Sequence, residues 1–122
     1  MQSSIRTTLA DGGTVIVMVS GEVDYSNSDE VARRLRDAVT DWAPPAVEVD
    51  LSAATFIDST GLGALIEGYR VATAAGVAFR VINPSETFRR VLTVTGLSDF
   101  FGLIDAGDVS ARDSAASQAT GT

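Results

Sequence analysis

Cysteine, histidine and lysine are all missing from the 122 residues of this chain, and each absence closes off chemistry. Without cysteine there are no disulfides and no thiolate nucleophile, and without cysteine or histidine the zinc sites built on those ligands are excluded. Losing histidine also removes the usual imidazole general base and any phosphohistidine transfer. The nine basic residues are all arginines, set against sixteen acids for a formal charge of -7, and their one cluster is Arg33, Arg34 and Arg36. That balance opposes phosphate backbones and anionic lipid surfaces, so neither nucleic acid nor a membrane is an expected partner. Long apolar runs are also lacking. The longest, residues 15–19, falls far short of the ~20 residues that span a bilayer, and the N-terminus has no basic segment leading into an apolar one. A soluble, cytoplasmic protein is the expectation.

What is present suits one compact domain, since 45% of the residues are hydrophobic and a chain of this length has room for a single core. The domain is expected over residues 1–106. Beyond it, residues 107–122 are mainly Gly, Ala, Ser, Thr and Asp, a composition too poor in large apolar groups to offset the entropy of ordering, and a disordered tail is expected there.

Two strand-like runs, 5–9 and 14–20, flank Asp11-Gly12-Gly13 and read as a β-hairpin. Val31, Leu35, Ala38, Val39 and Trp42 then recur at helical spacing, with Ser26, Asn27 or Ser28 to cap the helix and Pro44-Pro45 to end it. Val47, Val49 and Leu51 alternate with polar residues, as Phe79 and Val81 do around Arg80, so these strands are expected to bury one face. Between them Leu62, Leu65, Ile66 and Tyr69 form a helical stripe that stops at Gly76, a left-handed cap. A third helix carries Phe88, Val91 and Leu92 and ends at Gly96, and residues 100–104 read as a last edge strand. The expected class is α/β, with order ββαβαβαβ and a mixed sheet covered by helices mainly on one face.

Strand-helix-strand crossovers bring the carboxyl ends of parallel strands to one rim. Three loops are expected there: residues 21–27, 55–61 and 83–85. The middle one holds Asp58-Ser59-Thr60-Gly61-Leu62-Gly63 at the start of a helix, where free N–H groups and a positive dipole end suit an anion such as a phosphate. Two readings of this hexad stay open. Asp58 and Ser59 are ordinary cap residues, and Gly61 and Gly63 permit close helix packing; equally, the hydroxyls mark a phosphorylation or phosphate site. A hydrolase nucleophile lacks its histidine, a phosphate-cradling loop lacks its lysine, and Glu22, Asp24 and Asp58 have nothing to impose octahedral geometry on Mg2+. Neither a metal nor a cofactor is therefore expected.

Gly21-Glu22-Val23-Asp24, the strand 47–51, Phe56-Ile57 running into the hexad, and Thr95-Gly96-Leu97, in this order and spacing, resemble the STAS domain of bacterial anti-sigma-factor antagonists. The resemblance covers residues 5–105. It implies a non-enzymatic binding protein whose serine after the aspartate, here Ser59, accepts a phosphoryl group. It also implies a partner that is both anti-sigma factor and serine kinase, bound by the unmodified chain so that a sigma factor is freed, and a metal-dependent serine phosphatase that resets the switch. Glu22, Asp24, Tyr25, Ser26, Asp58, Thr60, Gly61 and Leu62 become the partner-binding set, on a monomer or weak dimer. The same resemblance admits a non-switching scaffold in a signalling or lipid-transport complex. A small nucleotide-binding or phosphotransfer enzyme on the same rim is the reading from another class.

Overall fold

The computed structural model describes residues 4–97. Strands β1 (Ile5–Leu9) and β2 (Val15–Val19) form the antiparallel hairpin. Its turn is a single helical turn, Asp11–Gly13, in which Gly12 and Gly13 take φ of +82° and +89°, conformations that cost glycine nothing. There follow β3 (Gly21–Val23), α1 (Ser28–Trp42), β4 (Ala46–Asp50), β5 (Ala54–Ile57), α2 (Ser59–Ala74), β6 (Ala78–Ile82) and α3 (Glu86–Val94). The main sheet runs β1-β2-β4-β6, with β2, β4 and β6 mutually parallel, and β3 pairs with β5 in a separate two-stranded parallel sheet.

The mixed α/β architecture and the order of the longer elements match the sequence reading. Two segments differ: residues 21–27 and 55–61, read as loops, each begin with a short strand. Gly21, at φ +75°, turns the chain out of the main sheet after β2, and Val23 then sits opposite Ile57. Three or four residues are too few for alternation to register, and their pairing is long-range. The edge strand expected at 100–104 and the tail at 107–122 lie outside the described residues.

One cluster of apolar side chains holds the layers together. Val15, Val17, Val19, Val47, Val49 and Val81 are fully enclosed and meet Val31, Leu35 and Val39 of α1, Leu65 of α2 and Leu92 of α3. The opposite face of the sheet is only half-buried: Ile16 and Met18 of β2, Asp50, Ile82, and a cross-strand ion pair between Arg80 and Glu48 at 3.1 Å.

The sequence stripe on α2 is rotated in the fold. Its most deeply buried line is Gly61, Ala64, Leu65, Gly68 and Ala72, whereas Leu62, Ile66 and Tyr69 are half-buried on its flanks. The reason is close approach: a Cβ on Gly68 would lie 2.9 Å from Leu35 Cδ1 and 3.0 Å from Phe79 Cε2. Tyr69 packs edge-on against Phe79, with ring centroids 6.2 Å apart. On α1, Trp42 is 48% exposed rather than in the core, because the helix ends there: Ala43 turns left-handed at φ 44° and two prolines follow. Gly76 ends α2 as expected, at φ +74°, with Val77 N–H donating back to Ala72 O at 2.8 Å.

Candidate functional site

The hexad sits where β5 hands over to α2, and Asp58 organises the junction. Its Oδ1 accepts the N–H of Thr60 at 2.9 Å, the N–H of Gly61 at 3.0 Å and the hydroxyl of Thr60 at 2.6 Å, while Leu62 N–H donates to Asp58 O at 2.9 Å. The bond from the Thr60 hydroxyl, helped by the backbone N–H groups, holds the Asp58 carboxyl below its ordinary pKa. This corrects the expectation of an open anion site. Two of the donors that a phosphate would use at this helix end, the N–H groups of Thr60 and Gly61, already serve a built-in carboxylate.

A depressed carboxyl stabilises the fold where it is ionised and ceases to do so when it is protonated. Asp58→Asn keeps a cap but does not titrate. The wild type is therefore expected to exceed this variant in thermal stability at neutral pH, and the advantage to shrink as pH falls below about 4, as measured by melting curves at pH 7 and pH 3. A constant difference between those two pH values would show that Asp58 is not the group responsible.

The loop after β3 repeats the same device. Asp24 Oδ1 accepts the N–H of Ser26 at 2.9 Å and its hydroxyl at 2.6 Å, the pattern seen at Asp58 and Thr60. Asn27 ties the loop's base: its Oδ1 accepts Asp24 N–H at 2.9 Å and its Nδ2 donates to Glu22 O at 2.8 Å. Asp24 O meanwhile accepts the N–H groups of Asn27 and Ser28. Asn27 thus stands before α1 without a side-chain bond into the helix. A loop so fully satisfied by its own side chains has few alternatives, and at its tip Tyr25 is 81% exposed.

The two loops meet, since Asp58 N–H donates to Val23 O at 3.1 Å. Glu22, Tyr25, Ser26, Ser59 and Thr60 are exposed, and Asp24, Asp58 and Leu62 are half-buried. The Ser59 side chain makes no hydrogen bond within the described residues, so its exposed Oγ is uncommitted. Gly61 departs from its predicted place on the partner-binding surface. It is buried, and a Cβ there would lie 2.8 Å from both Val23 Cγ1 and Ile57 Cγ2, so it lets α2 cross the small sheet and offers no contact surface. Leu62 likewise packs in part against the core.

The third loop joins the same end. Asn83 Nδ2 donates to Asp50 Oδ1 at 3.2 Å, and Ser85 caps α3 by accepting Phe88 N–H at 3.1 Å. Between β5 and α3 a largely apolar groove of about 410 Å3 is lined by Phe56, Ile57, Phe88 and Val91. Phe56 is 53% exposed; the sequence reading puts it in the loop 55–61 and misses it as surface, because one aromatic in so short a segment carries no facing information. The acidic residues do not converge: among the described residues no group of three or more could hold a metal ion. None of the described helices is long and apolar enough to cross a membrane.

Comparison with known proteins bears on this geometry. Residues 6–114 match the family model of the STAS domain. The anti-sigma-F factor antagonist RsfB of Mycobacterium tuberculosis is 30% identical over 101 residues, 82% of this chain and 81% of RsfB. An anti-sigma factor antagonist from Mycobacterium paratuberculosis superposes with a TM-score of 0.73 at 30% identity, covering 89% of this chain and 91% of its own. The Bacillus cell fate determinant SpoIIAA, solved in its phosphorylated form, shares the fold at a TM-score of 0.67 and 24% identity, over 89% of this chain and 96% of that one. A family match over most of the sequence therefore falls on a fold whose strand-to-helix junction presents a free serine. The chain belongs to the STAS domain family, and the relatives it resembles there are anti-sigma-factor antagonists.

Proposed function

We propose that this chain is a cytoplasmic anti-sigma-factor antagonist whose state is set by phosphorylation of Ser59. Unmodified, it binds a cognate anti-sigma factor that is also a serine kinase, and a sigma factor is freed. The kinase then transfers the γ-phosphoryl group of ATP to Ser59: an Oγ–P bond forms, the bond to the β-phosphate breaks, ADP leaves and the hydroxyl proton passes to the kinase. A metal-dependent phosphatase hydrolyses the ester and resets the switch. In this reading the chain binds and is modified but does not catalyse.

The observation that carries the proposal is the Ser59 hydroxyl, exposed and without an internal hydrogen bond, at a junction pinned by Asp58. A serine needed only as a cap would spend its oxygen on the helix, and here Asp58 does that work. Around it lies a surface suited to a protein partner, with Tyr25 standing out from a rigid loop. Large rigid aromatics are frequent anchors in interfaces.

The test is incubation with each serine-kinase anti-sigma factor of the source genome, Mg2+ and ATP, followed by intact-mass measurement and fragmentation. One added phosphoryl group located on Ser59, and lost in Ser59→Ala, is the expected result. A phosphoryl group elsewhere sinks the assignment. No modification, together with stable co-purification in a multimeric signalling or transport assembly, supports a non-switching scaffold instead.

A further inference from the structure

Helix α2 carries glycines at 61, 63 and 68, and a glycine inside a helix costs stability relative to alanine. Packing explains two of them. Gly61 and Gly68 sit where an added Cβ would lie 2.8 to 2.9 Å from neighbouring side chains. Gly63 is exposed, lacks a positive φ, and an added Cβ there meets nothing within 4 Å. Nothing among the described residues accounts for it. Where a sequence breaks a local rule without structural gain, function is the place to look.

Gly63 lines a cleft of about 390 Å3 between the first turns of α1 and α2. Asp29 and Ala32 come from α1; Thr60, Ala64 and Glu67 join Gly63 from α2. The two carboxylates face this cleft without an ion-pair or hydrogen-bond partner among the described residues. Their neighbours on α1 differ: Glu30 pairs with Arg34 and Asp37 with Arg33. Two acids are too few to enclose a metal ion, and no group of three is present. Small residues beside unpaired carboxylates instead suit a long cationic side chain, whose methylenes lie along the alanines and glycine while its charge reaches the acids.

We propose that this cleft receives an arginine or lysine side chain of the anti-sigma factor, laid across Gly63 with its charge between Asp29 and Glu67. The inference rests on the switch reading above and extends it. Thr60 lines the cleft and is the residue after Ser59, so a kinase that reaches the Ser59 hydroxyl also covers the cleft.

Calorimetric titration of the full chain with each purified serine-kinase anti-sigma factor of the source genome, at low and at high salt, tests both levels. Asp29→Asn combined with Glu67→Gln is expected to weaken binding about tenfold at low salt and to flatten its salt dependence. Gly63→Gln, which fills the cleft, is expected to weaken binding by about tenfold while raising the melting temperature, because glutamine is the better helix former. Asp11→Asn makes the same kind of charge change in the β1–β2 turn, at the other end of β2, and is expected to leave Kd unchanged. A double carboxamide variant that binds like the wild type at both salts overturns the cleft proposal, and phosphorylation of Ser59 by that kinase then leaves the switch reading standing. A wild-type chain that binds none of the kinases overturns both.

Discussion

Ser59→Asp is expected to bind its anti-sigma factor roughly a hundredfold more weakly than the wild type, while Ser59→Ala binds nearly as well as the wild type. The physical argument starts at Asp58. Its carboxylate already accepts from Thr60 N–H, Gly61 N–H and the Thr60 hydroxyl, so a new anion at 59 finds those donors taken and stays on the surface. It also stands next to an ionised carboxylate, on a chain of formal charge -7. Such a charge does little to the fold, within about 0.5 kcal/mol for an exposed site. A partner docking over it must desolvate the charge while the Thr60 and Gly61 donors stay with Asp58, and a penalty of about 2.8 kcal/mol is a hundredfold in Kd. A phosphate, with 1.5 to 2 charges, should act more strongly than aspartate. Titration of the three forms with the kinase checks this, and equal affinities for the wild type and Ser59→Asp would place Ser59 outside the interface.

The largest effect on stability is expected in the seam between α1 and α2. Leu35 is fully enclosed and its Cδ1 lies against Gly68. Leu35→Ala leaves a cavity in a place where two helices already approach as closely as their small residues allow, so the walls cannot collapse far. A loss of about 3 kcal/mol follows, or roughly 10 to 20 °C in melting temperature for a domain of this size. The same contact makes a sharper statement. Gly68→Ala alone puts a Cβ 2.9 Å from Leu35 Cδ1 and is expected to destabilise despite alanine's better helix propensity. In the Leu35→Ala background that methyl group is gone, while Phe79 Cε2 at 3.0 Å and the Cβ of residue 35 at 3.1 Å remain, so Gly68→Ala should cost less there than it does alone. Additive losses in the double-mutant cycle would mean that the two residues do not share this space. Because the cleft with Asp29 and Glu67 lies between the same two helices, the seam also sets the spacing of that site.

The readable part of this protein was what local pattern encodes. Helical spacing in α1, the Pro44-Pro45 stop, the glycines at 76 and 96 and the alternation around Val47 and Val49 each follow from burial of one side of one element, and the elements formed as read. The strand-to-helix junction with its exposed serine was legible for the same reason, as was the resemblance that the family match bears out. The stripe on α2 was misread because leucine and isoleucine draw attention as core residues, whereas the contact with α1 needed glycine and alanine to let two backbones close. Trp42 was misplaced because periodicity does not say where a helix outruns its core.

Composition alone excluded thiol, imidazole and Cys/His-zinc chemistry, since a residue type that is absent cannot act wherever the chain folds. Periodicity placed Ser59 at a helix start, because capping and amphipathic spacing are local. Tertiary structure decided the rest: that β3 and β5 pair outside the main sheet, that Gly61 lies beneath the site, and that Asp29 and Glu67 face one cleft with no cation among the described residues that line it. These are meetings of residues far apart in the chain, and no local periodicity carries the distance between two elements that have yet to pack.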